Sequence, residues 1–162
     1  MQKKIFQLVV DNNVGVLSRI SGLFARRGYS IESITAGVTT DPGFTRITIV
    51  AAGDEMILEQ IEKQVAKLVD VRETKELVPG QSVYRELALI KVKALAPGRP
   101  GVVSLVDIFR ANIIDVAPES IIIEMTGDQD KIDAFINLLE GYEIIEIART
   151  GIAGLSRGGT GA

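Results

Sequence analysis

Apolar residues recur along this chain in two rhythms, one with period two and one near 3.6, and the order of the rhythms repeats. Ile5-Phe6-Gln7-Leu8-Val9-Val10 is a β-rich run, and the polar turn Asp11-Asn12-Asn13 follows it. Val16, Leu17, Ile20, Leu23 and Phe24 then recur at helical spacing. Gly28 stands where a helix C-cap belongs. Ile31, Ile34 and Ala36 suggest an interrupted strand, and Thr40-Asp41-Pro42-Gly43 signals a turn. Phe44 to Val50 alternates as a half-buried strand does. Asp54 is an N-cap candidate for a second helix marked by Ile57, Ile61, Val65 and Leu68. Val69 to Leu77 closes the half as a fourth strand, so the predicted order is βαββαβ.

The second half repeats that order. Glu86 to Lys93 reads as a strand, Ala96 to Gly101 as a loop, and Val102, Val106 and Phe109 as a helical stripe. Short strands follow at Ile113–Val116 and Ile121–Met125. Asp128 follows Gly127 as Asp54 follows Gly53, and Ile132, Phe135, Ile136 and Leu139 mark the last helix before a strand over 143–148. Gly15 maps onto Gly101 and Phe24 onto Phe109, but Gly53-Asp54 maps onto Gly127-Asp128 at a smaller offset. The second copy has therefore lost about a dozen residues, and the hairpin equivalent to Thr39–Gly43 is the expected place, because hairpin loops tolerate deletion best.

The predicted class is α+β: two ferredoxin-like βαββαβ sandwiches in tandem, the second smaller, each a four-stranded antiparallel sheet with both helices on one face. The expected domains are residues 1–78 and 83–150, with a linker over 79–82 and a flexible, Gly-rich tail over 151–162.

Composition narrows what such a fold does. The net charge is −3, with no basic excess for a nucleic-acid backbone, and no apolar run approaches a bilayer span. The start lacks a signal-peptide pattern, so the expected compartment is the cytoplasm. With no His and no Cys, thiolate and imidazole metal sites and a His general base are impossible. An enzyme built on Asp or Lys stays open, as does a free-standing amino-acid-binding module.

The segment between the first strand and the first helix carries the remaining chemistry. Gly15 permits close backbone approach, and the amides of Gly15, Val16 and Leu17 lie where a helix start favours a carboxylate. Asn12 offers a carbonyl and an amide to an α-amino acid, and Val16, Leu17 and Ile31 offer an apolar lining. Asn-x-x-Gly before a helix is equally an ordinary capping turn.

Asn12 to Arg19 resembles the N-x-x-G-x-L signature of ACT domains, which bind regulatory amino acids. Gly22-Leu23-Phe24-Ala25-Arg26-Arg27-Gly28-Tyr29-Ser30-Ile31-Glu32-Ser33 is similar to the corresponding run of the acetohydroxyacid synthase (acetolactate synthase) small-subunit family. So are Arg85 to Val92 and Gly151 to Gly158, and the resemblance covers nearly the whole chain in order.

This resemblance implies an N-terminal ACT domain and a non-catalytic subunit that activates a catalytic subunit. That partner carries thiamine diphosphate, Mg²⁺ and FAD, and this chain itself holds no cofactor. It implies a homodimer through the ACT domain and feedback inhibition by valine or another branched-chain amino acid. Carried over by position, the effector loop is Asn12, Gly15, Val16 and Leu17, and the facing edge is Ser30 and Ile31 of the other protomer. The family often has Asn at the position of Ser30, and the shorter hydroxyl changes that contact. The second half has Pro100-Gly101 at the corresponding loop without a matching Asn, and is expected to have lost effector binding and to serve assembly. Leu155 and Arg157 are expected to dock on the catalytic subunit.

Overall fold

Alternation along the first strand decides how the N-terminal half folds. Phe6, Leu8 and Val10 of β1 (Gln2–Asp11) are buried on one face, which therefore requires an apolar cover. Two amphipathic helices supply it. Helix α1 (Val16–Arg27) contributes Val16, Ile20, Leu23 and Phe24, and α2 (Glu55–Ala66) contributes Leu58, Ile61 and Val65. The computed structural model describes residues 2–160. Strands β2 (Ser30–Val38), β3 (Phe44–Gly53) and β4 (Val71–Glu76) complete an antiparallel sheet of order β2-β3-β1-β4. Within this sheet β2 is an edge.

The second half is built the same way. Strands β5 (Ser82–Lys93), β6 (Asn112–Val116), β7 (Ser120–Gly127) and β8 (Ile144–Arg149) take the order β6-β7-β5-β8. Helices α3 (Arg99–Ile108) and α4 (Gln129–Leu138) bury Val102, Val106, Ile132 and Phe135 against Ile90, Val92 and Ile123. Even the irregularities match. β2 and β6 each carry a bulge after two paired residues, between Ile31 and Ser33 and between Ile113 and Asp115. The pairings of β1 with β4 and of β5 with β8 slip at Val9/Val10 and Lys91/Val92. Repeated bulges at equivalent positions mark a duplicated backbone and not merely a repeated pattern.

The helix ends show where local chemistry decides. Asp54 and Asp128 each accept from the backbone N–H three residues on, at 2.8 Å, which is the predicted N-cap. Gly28 closes α1 at φ 68°, where Tyr29 N also donates to Phe24 O. In the second copy the equivalent left-handed residue is Arg110, φ 55°, with Ala111 N donating to Val106 O. A side chain there costs energy that Gly28 avoids.

Two folded units divide the chain. Unit 1 runs from the start to Val83 and takes in the chain again from Ile152, and unit 2 is Tyr84–Gly151. This corrects the expectation of a flexible tail over 151–162 for the segment up to Ser156, and residues 161–162 lie outside the described residues. Ala153–Ser156 forms a strand, β9, which pairs with β5, and Ile152 is only 2 % exposed. Burying that isoleucine contributes about 1.5–3 kcal/mol, enough to hold a short segment down. Arg157 N donates to Gln81 O at 2.8 Å. The expected linker over 79–82 is shorter than predicted, because β5 begins at Ser82. Nor does the shortening of the second half fall mainly on the hairpin loop. β6 has 5 residues where β2 has 9, and β7 has 8 where β3 has 10.

Candidate functional site

β1 delivers the chain to the start of α1 through Asn12–Gly15, and hydrogen bonds fix the shape of that loop. Asp11 N donates to Asp70 O and Asn12 N to Gly43 O, both at 2.9 Å. The Asn12 side chain spans the gap to the β2–β3 hairpin. Its Nδ2 donates to Pro42 O at 2.9 Å, and its Oδ1 accepts from Thr45 Oγ1 at 3.2 Å. Both ends of the amide are therefore engaged, and a ligand contact at Asn12 would have to replace one of these bonds.

Gly15 sits at φ 88° as the N-cap of α1, a conformation that side chains rarely adopt. It offers no side-chain cap, and the first turn holds no acidic residue. α2 and α4 have Asp caps, whereas the start of α1 has no side-chain acceptor, and Val16 N donates to the loop's own Asn13 O at 3.4 Å. Val16 is 4 % exposed and packs in the core, so only its backbone faces the loop. Leu17 is 49 % exposed and stands on the rim.

Two ion pairs frame the loop. Arg19 Nε donates to Asp70 Oδ2 at 2.5 Å, and a Cβ on Gly15 would stand 3.2 Å from Arg19 Nη1. Arg72 grips Asp11 in a bidentate pair at 2.8 and 2.9 Å. That hydrogen-bonded carboxylate holds the Arg72 guanidinium above its ordinary pKa. The sequence pattern assigns neither Arg19 nor Asp70 a part in this loop. The available signal was Arg19 at one helical turn from Gly15, but its partner lies 51 residues away.

Ser30 and Ile31 lie elsewhere. Ser30 pairs with Ala52 on β3, whereas the loop end of β1 pairs with Phe44. These are eight positions apart along one strand, about 26 Å at ~3.3 Å per residue. Ser30 is exposed at the start of β2, and Ile31 is partly buried against the core. Within one protomer the six candidate residues therefore form two separate groups, at opposite ends of the sheet. Among the described residues, no group of three or more His, Cys, Asp or Glu is placed to hold a metal ion. No described helix is long and apolar enough to cross a membrane.

Residues 6–73 match the AHAS small subunit-like ACT domain, and residues 85–158 match the family described as small subunit of acetolactate synthase. The chain belongs to the acetolactate synthase small-subunit family. It is 46 % identical to the acetolactate synthase isozyme 3 small subunit of Escherichia coli, over 96 % of each chain. It is equally 46 % identical to a probable acetolactate synthase small subunit of Methanothermobacter thermautotrophicus, covering 95 % of this chain and 92 % of that one. The crystal structure of the small subunit from Thermotoga maritima superposes with a TM-score of 0.88 at 43 % identity, covering 99 % of this chain and all of that one. Small-subunit relatives over nearly the full length support a non-catalytic regulatory role, and their naming implies a catalytic subunit as partner.

Proposed function

We propose that this chain activates a cytoplasmic acetolactate synthase catalytic subunit and confers feedback inhibition by valine or another branched-chain amino acid. The effector sits between two copies of the ACT domain. The observation that carries this reading is the separation of Asn12 and Ser30 along the β2 side of the sheet. β2 is an edge strand with Ile34 and Val38 exposed at 39 % and 61 %. An unpaired edge of this kind is a template for a second copy. Antiparallel pairing of two β2 strands places the Ser30 end of one copy beside the Val38 end of the other. Val38 pairs with Thr45, whose hydroxyl holds Asn12. One such dimer therefore joins the loop of each copy to Ser30 and Ile31 of the partner subunit, completing two equivalent sites.

At each site the effector carboxylate meets the uncapped amides of α1, and its aliphatic group meets Leu17 and Ile31. The effector controls the enzyme only through its different affinity for two arrangements of the dimer. Thiamine diphosphate, Mg²⁺ and FAD are expected in the catalytic subunit. The described residues of this chain, with neither His nor a carboxylate cluster, do not fit them.

Calorimetric titration of the purified chain with valine, leucine and isoleucine tests the reading, alongside activity of the catalytic subunit with and without the chain. Saturable binding that Gly15→Asp abolishes, with activation retained, is the expected result. Wild-type chain that activates but binds none of the three amino acids removes the feedback half.

A further inference from the structure

Among the described residues, the two most exposed large apolar side chains stand on adjoining turns of unit 1. Val14 is fully exposed in the loop before α1, and Val69 is 83 % exposed in the turn between α2 and β4. A single exposed valine is ordinary, but turn tips favour Gly, Asn, Asp and Ser, and here two joined tips each carry a valine. The joints are specific. Asp11 N donates to Asp70 O at 2.9 Å, and Val71 N closes the second turn on Leu68 O at 3.1 Å. The Arg19 guanidinium bridges the residues that follow the two valines. Its Nε donates to Asp70 Oδ2, and its Nη1 lies 3.2 Å from the position of a Cβ on Gly15. Asp70 is only 8 % exposed, so the bridge is anchored in the fold.

That guanidinium is left half used. Arg72 closes its fork on both oxygens of Asp11. Arg19 engages one oxygen of Asp70 through Nε, and among the described residues its Nη groups have no hydrogen-bond partner. An arginine fixed at Nε still presents a planar pair of donors that suits a carboxylate. Two apolar anchors thus flank a donor pair that awaits an anion. The place of this surface in the sheet decides which partner it meets. The order β2-β3-β1-β4 puts β4, which follows Val69, at the edge opposite β2. A dimer formed through β2 leaves the surface open on both copies.

We infer that Val14, Val69 and Arg19 form a docking surface for the catalytic subunit, which meets it with a carboxylate side chain set among apolar ones. Aromatic or aliphatic anchors around a paired arginine are the usual makings of such a contact. The inference rests on the proposal that this chain activates a catalytic subunit, and it adds the place of contact.

The test is activation of the cognate catalytic subunit, titrated with the whole chain as wild type, as Val14→Ser with Val69→Ser, as Arg19→Lys and as Met56→Ser, with thermal unfolding of each. Met56 is 70 % exposed on α2 and serves as the control for loss of any exposed apolar group. Arg19→Lys keeps a charge for Asp70 but loses the fork. The double serine variant and Arg19→Lys are each expected to keep their Tm and to need about tenfold more chain for half-maximal activation. Met56→Ser is expected to follow wild type. A wild-type titration curve from the folded double variant or from folded Arg19→Lys overturns the inference, and so does an equal loss in Met56→Ser. Wild-type chain that neither binds nor activates the catalytic subunit removes the proposed function itself, and this inference with it.

Discussion

Gln7 Nε2 donates to Gly154 O at 2.6 Å, joining the central strand of the first sheet to a strand near the end of the chain. Gln7 is 2 % exposed on the face away from the helices, and its Oε1 accepts from Arg46 Nη1 at 2.9 Å. A buried amide of this kind is tolerated because both of its ends are paired. Gln7→Leu removes one hydrogen bond from the Gly154 carbonyl and one from the Arg46 guanidinium. We expect a loss of about 1–3 kcal/mol in urea unfolding. An unchanged midpoint would show that the terminal segment does not depend on this bond.

The same segment bears on partner binding. Leu155 is 60 % exposed on β9, and Arg157 follows it exposed. Because Ile152 is buried, truncation after Gly151 confounds stability with docking. Leu155→Asp with Arg157→Ala leaves the buried residues in place. If these two dock on the catalytic subunit, the double variant keeps its Tm while needing at least tenfold more protein for half-maximal activation.

Arg149 donates from Nε and Nη2 to the two carboxylate oxygens of Glu86, at 2.7 and 3.0 Å, and from Nη1 to Asp133 at 2.9 Å. Hydrogen bonding to Glu86 and, next to it, Asp133 outweighs desolvation and raises the guanidinium pKa above its ordinary value. A raised base contributes stability that is complete below its unfolded pKa, so none of this contribution is lost at neutral or mildly alkaline pH through Arg149. Glu86 is 5 % exposed, and Arg149→Ala would strand its charge. The expected cost is about 3 kcal/mol, with Arg149→Lys restoring only part because an ammonium cannot reproduce the fork. Denaturant unfolding of the two variants checks the order.

Arg110 and Gly28 occupy equivalent left-handed positions at the ends of α3 and α1. Arg110→Gly removes the Cβ strain and should stabilise unit 2 by about 1 kcal/mol. A lower Tm in this variant would show that the arginine side chain contributes more than its backbone costs.

Most of the fold was legible because two periodicities and two Gly-Asp caps repeat in order, and each is a local property. The loop residues Asn12 and Gly15 were legible for the same reason. Arg19 with Asp70, and Gln7 with Gly154, were not, since each pair is created only when distant elements meet. β9 was obscured by composition. Ala153-Gly154-Leu155-Ser156 is too small and polar to signal a strand, and what fixes it is burial of the single residue Ile152. The start of α3 moved earlier because Pro100 suits a first helical turn as readily as a loop. That Ser30 and Asn12 stand at opposite ends of a sheet follows from strand register, which spacing alone does not report.

The central claim is that the effector site is shared between two copies, and mixing two defective variants tests it most directly. Gly15→Asp spoils the loop, and Ser30→Arg spoils the facing edge. Each alone is expected to bind no valine. When the two are unfolded, mixed in equal amounts and refolded, the mixed dimers carry one site with both defects and one with neither. Calorimetry should then recover about a quarter of the wild-type valine capacity, by random pairing of an isologous dimer. No recovery from well-folded mixed dimers would contradict the account and would place the site within a single protomer.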